Sequence, residues 1–267
     1  MSEIRQEKLK LFQLDNQFDL LKKASQVIEY KKSQTSFIII EKETNKIEIK
    51  IAKNVELELI ILNLNQNKIS TAKKLEIVFN LAENSKLVLR YANLSNENID
   101  ENILINLNGP NSSVDYYSAT IAFDNLEKHS FINPIHLARN TTSDISSYTI
   151  IKDKALGFVK CASDIRNGST NSEAHQELRL LILDKTARAH SDPILLIDEN
   201  DIVASHANAI GMLDQEQIFY LNSRGLNDLQ AKELLIMGFF KPILELISLR
   251  NQDFADYLTV LLKEKIK

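Results

Sequence analysis

Cysteine is nearly missing from this chain of 267 residues: Cys161 stands alone. One thiol excludes an internal disulfide and any Cys-based zinc site built within the chain, and it fits a reduced, cytosolic setting. A basic excess is missing too. The formal net charge is −4, from 32 Lys and Arg against 36 Asp and Glu. Without clustered cations to neutralise phosphates, a nucleic-acid partner is disfavoured. Long apolar runs are absent. The greasiest stretch, LELIILNL at Leu57–Leu64, is broken by Glu58 and Asn63 and falls short of a bilayer span. The opening residues, MSEIRQEKLKLFQLDNQFDLL, hold no apolar core of signal-peptide length. The expectation is a soluble, cytoplasmic protein with neither nucleic acid nor membrane among its partners.

Catalytic signatures are also absent. There is no Gly-x-Ser-x-Gly, no Walker pattern, no Gly-x-Gly-x-x-Gly and no His-Glu-x-x-His. The five histidines, His129, His136, His175, His190 and His206, are scattered. A lone histidine is more often a hydrogen-bonded structural residue than a ligand. His129 and His136 are an odd number of positions apart in a strand-like run, which puts them on opposite faces. Cys161 lies in a strand-like run, GFVKCAS, where a thiol is usually a small buried hydrophobe. No carboxylate pair stands out. These residues suit a protein that holds something, not one that transforms it.

What is present is a globular composition, 44% apolar and 25% charged, arranged in three zones. From Met1 to about residue 35, Leu9, Phe12, Leu14, Phe18 and Leu21 recur at mixed spacing, which predicts a short helical segment. Residues 36–212 carry short apolar runs bounded by Asn, Asp, Ser or charges, as in SFIIIE, KIEIKIA, VELELIILNL, KLEIVFNL and KLVLRYA. Strict alternation is the strand signature, and its recurrence predicts an all-β architecture. Only six glycines exist, and tight hairpins need residues that accept positive φ. Their scarcity leaves a solenoid and a sandwich both open on periodicity alone. Residues 213–267 read as helical. Asn227 and Gln230 suggest a capping box, Gly238 a helix stop, and Pro242 the first turn of a new helix.

One segment points to a family. Pro193–Gly211 reads PILLIDENDIVASHANAIG, followed by LDQEQIFYLNSRGL at Leu213–Leu226 and AKELLIMGF at Ala231–Phe239. In order and spacing this run resembles the C-terminal signature of the SufB/SufD family: a strand opening on proline, Ser-His-Gly-Ala, Gly-x-Leu-Asp, Phe-Tyr-Leu, Ser-Arg-Gly, then a helix ending in Gly-Phe. Upstream, His136, Thr142, Ser143, Tyr148, Gly157 and His175-Gln176 resemble it more weakly. The resemblance implies a right-handed parallel β-helix between helical terminal segments. It implies a non-enzymatic scaffold subunit for iron–sulfur cluster assembly that pairs with a SufB-like subunit and docks SufC, an ABC-type ATPase. No tightly bound cofactor is implied, only a transient cluster or iron shared with the partner.

Departures favour the SufD type. The position of the SufB cysteine falls on Ala187, and the acidic residue after the key histidine is Ala207. By resemblance His206 is a candidate iron or cluster ligand at the subunit interface. Phe219, Tyr220, Arg224 and Gly225 resemble hinge residues, and Leu234, Leu235, Phe239, Phe240 and Ile243 an ATPase docking stripe. A homodimeric SufB/SufD-type scaffold, using Cys161 or an external sulfur carrier, is the alternative. A carbohydrate-active β-helix enzyme is more distant, because neither clustered Asp nor a secretion signal is present.

Overall fold

The computed structural model describes residues 18–21, 24–40, 44–66 and 72–267. Within them, strands alternate between two parallel sheets. One sheet has the order β1 (Phe18–Leu21), β3 (Gln34–Ile40), β5 (Glu56–Asn63), β7 (Lys86–Asn93), β9 (Ser113–Ala122), β11 (Thr142–Ile151), β13 (Ser172–Ile182) and β15 (Ile202–Met212). The other runs from β2 (Ser25–Tyr30) through β4 (Lys46–Ile51), β6 (Lys73–Leu81), β8 (Ile99–Leu107), β10 (Glu127–His136) and β12 (Leu156–Ile165) to β14 (Arg188–Ile197). Each coil gives one strand to each sheet, so the fold is a β-solenoid.

The alternation explains why. In KIEIKI, Ile47, Ile49 and Ile51 point inward and are buried, while the intervening residues face out. Register stacks like on like: Ile47 pairs with Ile77, Ile77 with Ile103, Ile103 with Ile132, and Ile132 with Cys161. Columns of branched side chains fill the interior.

The corners account for the missing glycine. Asn54, Asn84, Asn111, Asn140 and Asn171 all adopt φ between 53° and 60°, a left-handed conformation asparagine tolerates better than most residues. Their carboxamides form a ladder. Each donates to the one a coil earlier, Asn84 to Asn54 (3.0 Å), Asn111 to Asn84 (2.8 Å), Asn140 to Asn111 (3.0 Å) and Asn171 to Asn140 (2.9 Å). These partners are 27 to 31 residues apart. On the opposite corner Asp124 and Asp153 share the conformation, at φ 58°. There the Asp153 carboxylate accepts from the Asp124 N–H (2.9 Å) and the Asp184 carboxylate from the Asp153 N–H (2.7 Å). Asn111→Ala is expected to lose about 1–2 kcal/mol, from left-handed strain plus two ladder bonds. Asn111→Gly should lose less. Calorimetric melting of both variants checks this, and equal losses would discount the strain.

Three helices follow: α1 (Gln215–Ser223), α2 (Asp228–Ser248) and α3 (Gln252–Ile266). The α2 capping box forms as expected between Asn227 and Gln230. Gly238 and Pro242 do not divide two helices, however; both lie inside α2. One apolar face, Ile236, Phe240, Ile243 and Ile247, continues through them and is buried. That packing outweighs the local breakers. α2 and α3 fold back over the outer face of the odd-numbered sheet, against Phe37, Ile60, Leu62, Ala92, Ile121 and Ile150. Tyr117 donates to the Phe239 carbonyl (2.8 Å), Arg250 to Thr35 Oγ1 (3.0 Å), and Lys265 to Gln66 Oε1 (3.0 Å) and Asn96 Oδ1 (2.5 Å). The helices thus strap coils from β3 to β11. No helix among the described residues is long and apolar enough to cross a membrane.

The helical expectation for residues 1–35 is corrected over the part that is described. Residues 18–21, 25–30 and 34–40 are strands; residues 1–17 and 22–23 lie outside the described residues. Ser25–Tyr30 pairs in parallel with β4, and the hydrogen bonds that coil offers outweigh a weak helical pattern.

Candidate functional site at the open end of the solenoid

β14 and β15 are terminal strands, each paired on one side only. β15 is 11 residues long, and its sequence, IVASHANAIGM, contains no charged side chain. A long, uncharged edge strand is a template for another chain unless something covers it. Val203, Ile210 and Met212 on β15, and Leu196 and Ile197 on β14, are exposed.

Parity decides which residues line the end. Ala174, Gln176, Leu178 and Leu180 of β13 point inward and are buried. Register sets Ala204, His206, Asn208 and Ile210 above them. His206 therefore sits on an inward column but is exposed, because no strand among the described residues pairs beyond β15. Across the opening, Ser191 of β14 donates to Asn208 Oδ1 (2.6 Å). Gln176 Nε2 donates to Ser163 Oγ (2.7 Å) and to the Ile194 carbonyl (2.9 Å).

The other histidines are held elsewhere. His136 is fully buried between Thr141 Oγ1 (2.7 Å) and Ser143 Oγ (2.8 Å); burial lowers it to about 4, so it stays neutral near pH 7. His129 lies on the opposite face of the same strand, as its spacing requires, against Asp100 (2.8 Å). His190 stacks on Phe158 with ring centroids 5.0 Å apart, and His175 meets Ser205 Oγ at 2.7 Å. Among the described residues no group of three or more His, Cys, Asp and Glu is placed to hold a metal. At the open end the inward columns carry one imidazole, His206, while His190 on β14 lies against Phe158. Cys161 is inward and buried, and burial pushes its thiol far above the usual range, which makes it inert.

The residues expected at the hinge and the docking stripe divide. Gly225, at φ 96°, turns the chain between α1 and α2. Phe219 and Tyr220 are 75% and 56% exposed on α1, with the Arg224 guanidinium 5.2 Å from the Tyr220 ring centroid. Leu234 is exposed, and Leu235 and Phe239 are half-buried. Phe240 and Ile243 are buried against the sheet, so they belong to the chain's own core and cannot form part of a free docking surface.

Sequence reasoning missed a buried polar cluster deeper inside. Glu101 accepts from Tyr91 Oη, from Asn93 Nδ2 (2.6 Å) and from Ser130 Oγ (3.0 Å). Lys128 Nζ donates to Asn93 Oδ1 (2.8 Å) and to the Ser95 carbonyl (2.9 Å). Burial raises Glu101 and lowers Lys128 to about 7. The available signal was parity: Glu101 interrupts an inward face of Ile and Leu on β8, and Lys128 takes an inward position on β10.

The family model described as SUF system FeS cluster assembly, SufBD core domain, matches residues 22–239. The iron–sulfur cluster assembly protein SufD of Bacillus subtilis is 34% identical over 133 residues, 50% of this chain and 30% of that protein. An iron–sulfur cluster assembly SufBD family protein of Mycobacterium tuberculosis is 44% identical over 85 residues, 32% of this chain and 21% of its own length. A second from the same organism is 25% identical over 137 residues, 51% of this chain and 16% of its own length. The aligned stretches span less than a third of these curated relatives.

Proposed function

The chain belongs to the SufBD family of the SUF iron–sulfur cluster assembly system, and from that premise we propose that it is a cytoplasmic SufD-type scaffold subunit with no turnover of its own. Its open end pairs with the β-helix of a SufB-like subunit. The observation that carries this reading is β15: a long, uncharged edge strand with His206 on its inward column. Strand pairing across the end would satisfy the free backbone groups and take His206 out of water. A neutral imidazole there supplies one nitrogen lone pair to iron or a nascent cluster, the cargo, while the partner supplies the rest.

The SufC-type ATPase docks on the helices. Phe219, Tyr220, Leu229 and Leu234 are large apolar side chains exposed on α1 and α2, which supports a protein contact on these helices.

The experiment is co-expression with candidate SufB and SufC proteins from the same source, followed by size-exclusion chromatography. The wild-type chain is expected to elute with both. Ala209→Lys, which puts a charge on the bare edge, should abolish pairing while leaving the circular dichroism unchanged. His206→Ala should keep the complex assembled and lose cluster formation, read from the visible absorbance of the cluster. Undiminished cluster yield in His206→Ala would remove the ligand role. A chain that elutes only with itself and the ATPase would instead support the homodimeric scaffold, since an uncharged edge does not repel a second copy.

A further inference from the structure

The interior of the solenoid ends on an acceptor without a donor. Gln176 is 3% exposed, on β13, one strand below the open end. Its Nε2 is fixed by Ser163 Oγ and the Ile194 carbonyl, at 2.7 and 2.9 Å. A carbonyl oxygen cannot face another carbonyl oxygen, so this contact settles which end of the amide is nitrogen. The planar group then turns Oε1 away from that wall, and Oε1 has no partner among the described residues. Buried acceptors left without a donor are uncommon and costly.

Register places His206 directly over Gln176, about 4.8 Å away at the backbone, the spacing of neighbouring strands. An imidazole that gives one ring nitrogen to a metal carries its proton on the other, and an acceptor for that N–H fixes both ring and tautomer. We propose that Gln176 is the positioning residue for His206: its Oε1 accepts the ring N–H while the opposite nitrogen ligates a divalent metal ion at the open end. The inference rests on the reading of His206 as a ligand. Neighbouring side chains do not compete for the role. Asn208 Oδ1 already accepts from Ser191, and the Ser205 hydroxyl is engaged with His175.

The test follows the His206 imidazole signals of the full chain by NMR during a zinc(II) titration, zinc being a diamagnetic ion that takes imidazole nitrogen. Gln176→Met, close in volume but without an acceptor, is expected to weaken zinc binding at His206 about tenfold, the lower end of the range for such supporting contacts. In the zinc-bound wild type, nitrogen-15 shifts should report one His206 tautomer with a slowly exchanging N–H. Equal zinc affinity at His206 in Gln176→Met and wild type, or a mixture of tautomers in the wild type, overturns the positioning role and leaves His206 as a ligand. Wild-type His206 signals indifferent to zinc overturn the ligand reading as well.

Discussion

Glu101→Leu is expected to destabilise the chain by about 3–5 kcal/mol, the usual cost of removing one partner from a buried charged pair. Glu101 is 1% exposed and Lys128 2%. Asn93 bridges them, donating to Glu101 and accepting from Lys128. Without the carboxylate, Tyr91, Asn93 and Ser130 each lose an acceptor, and the strongest compensating charge on Lys128 is gone. Adding Lys128→Met removes the stranded cation, and the double variant is expected to regain much of the loss, because apolar replacement of a whole buried pair is often neutral. Urea unfolding of the two single variants and the double measures the coupling. A Glu101→Leu loss below about 1 kcal/mol would show that the pair carries no net charge interaction to lose.

Gly109→Ala is expected to cost about 3 kcal/mol or to abolish soluble expression, at the top of the range for overpacking. A methyl group there would lie 2.0 Å from the Glu83 nitrogen and 2.4 Å from its Cα. Both atoms are backbone of the previous coil, so no rotamer change relieves the clash. The coils are also tied at that point, Gly109 N–H to the Leu81 carbonyl (3.1 Å) and Asn84 N–H to the Pro110 carbonyl (2.9 Å). Gly238→Ala makes the contrast. Its methyl meets nothing within 4 Å on α2, and alanine in a helix interior should add about 0.5–1 kcal/mol. Thermal melts of the two variants should move in opposite directions; a Gly109→Ala melt near wild type would mean that the coils separate there.

The strands were legible because alternation is local: KIEIKI states its own inward face. The repeat was not legible, because corner lengths vary and coil partners fall from 27 to 31 residues apart along the asparagine ladder, which blurs any fixed period. Glycine scarcity pointed the right way. The corners use Asn and Asp at positive φ instead, so an absence of glycine was not an absence of turns. The α2 stripe was visible, but which side of it meets the sheet is a long-range fact, and Phe240 and Ile243 turned out to be core. His206 was singled out by motif resemblance. Gln176 could not be singled out for its carboxamide, because its free oxygen is apparent only once Ser163 and Ile194 are seen to hold its nitrogen.

The helical strap changes how this molecule comes apart. A bare stack of coils in which each touches only its neighbours melts like a one-dimensional array, peeling from either end. Here Arg250 reaches Thr35, Lys265 reaches Gln66 and Asn96, and Tyr117 holds the Phe239 carbonyl. A coil near β3 therefore cannot peel without lifting the same helices that hold β9 and β11. The array is converted into one cooperative unit, and unfolding becomes all-or-none over the strapped coils. The strap reaches Leu181 of β13 as well, one strand short of the end where the proposed partner would arrive.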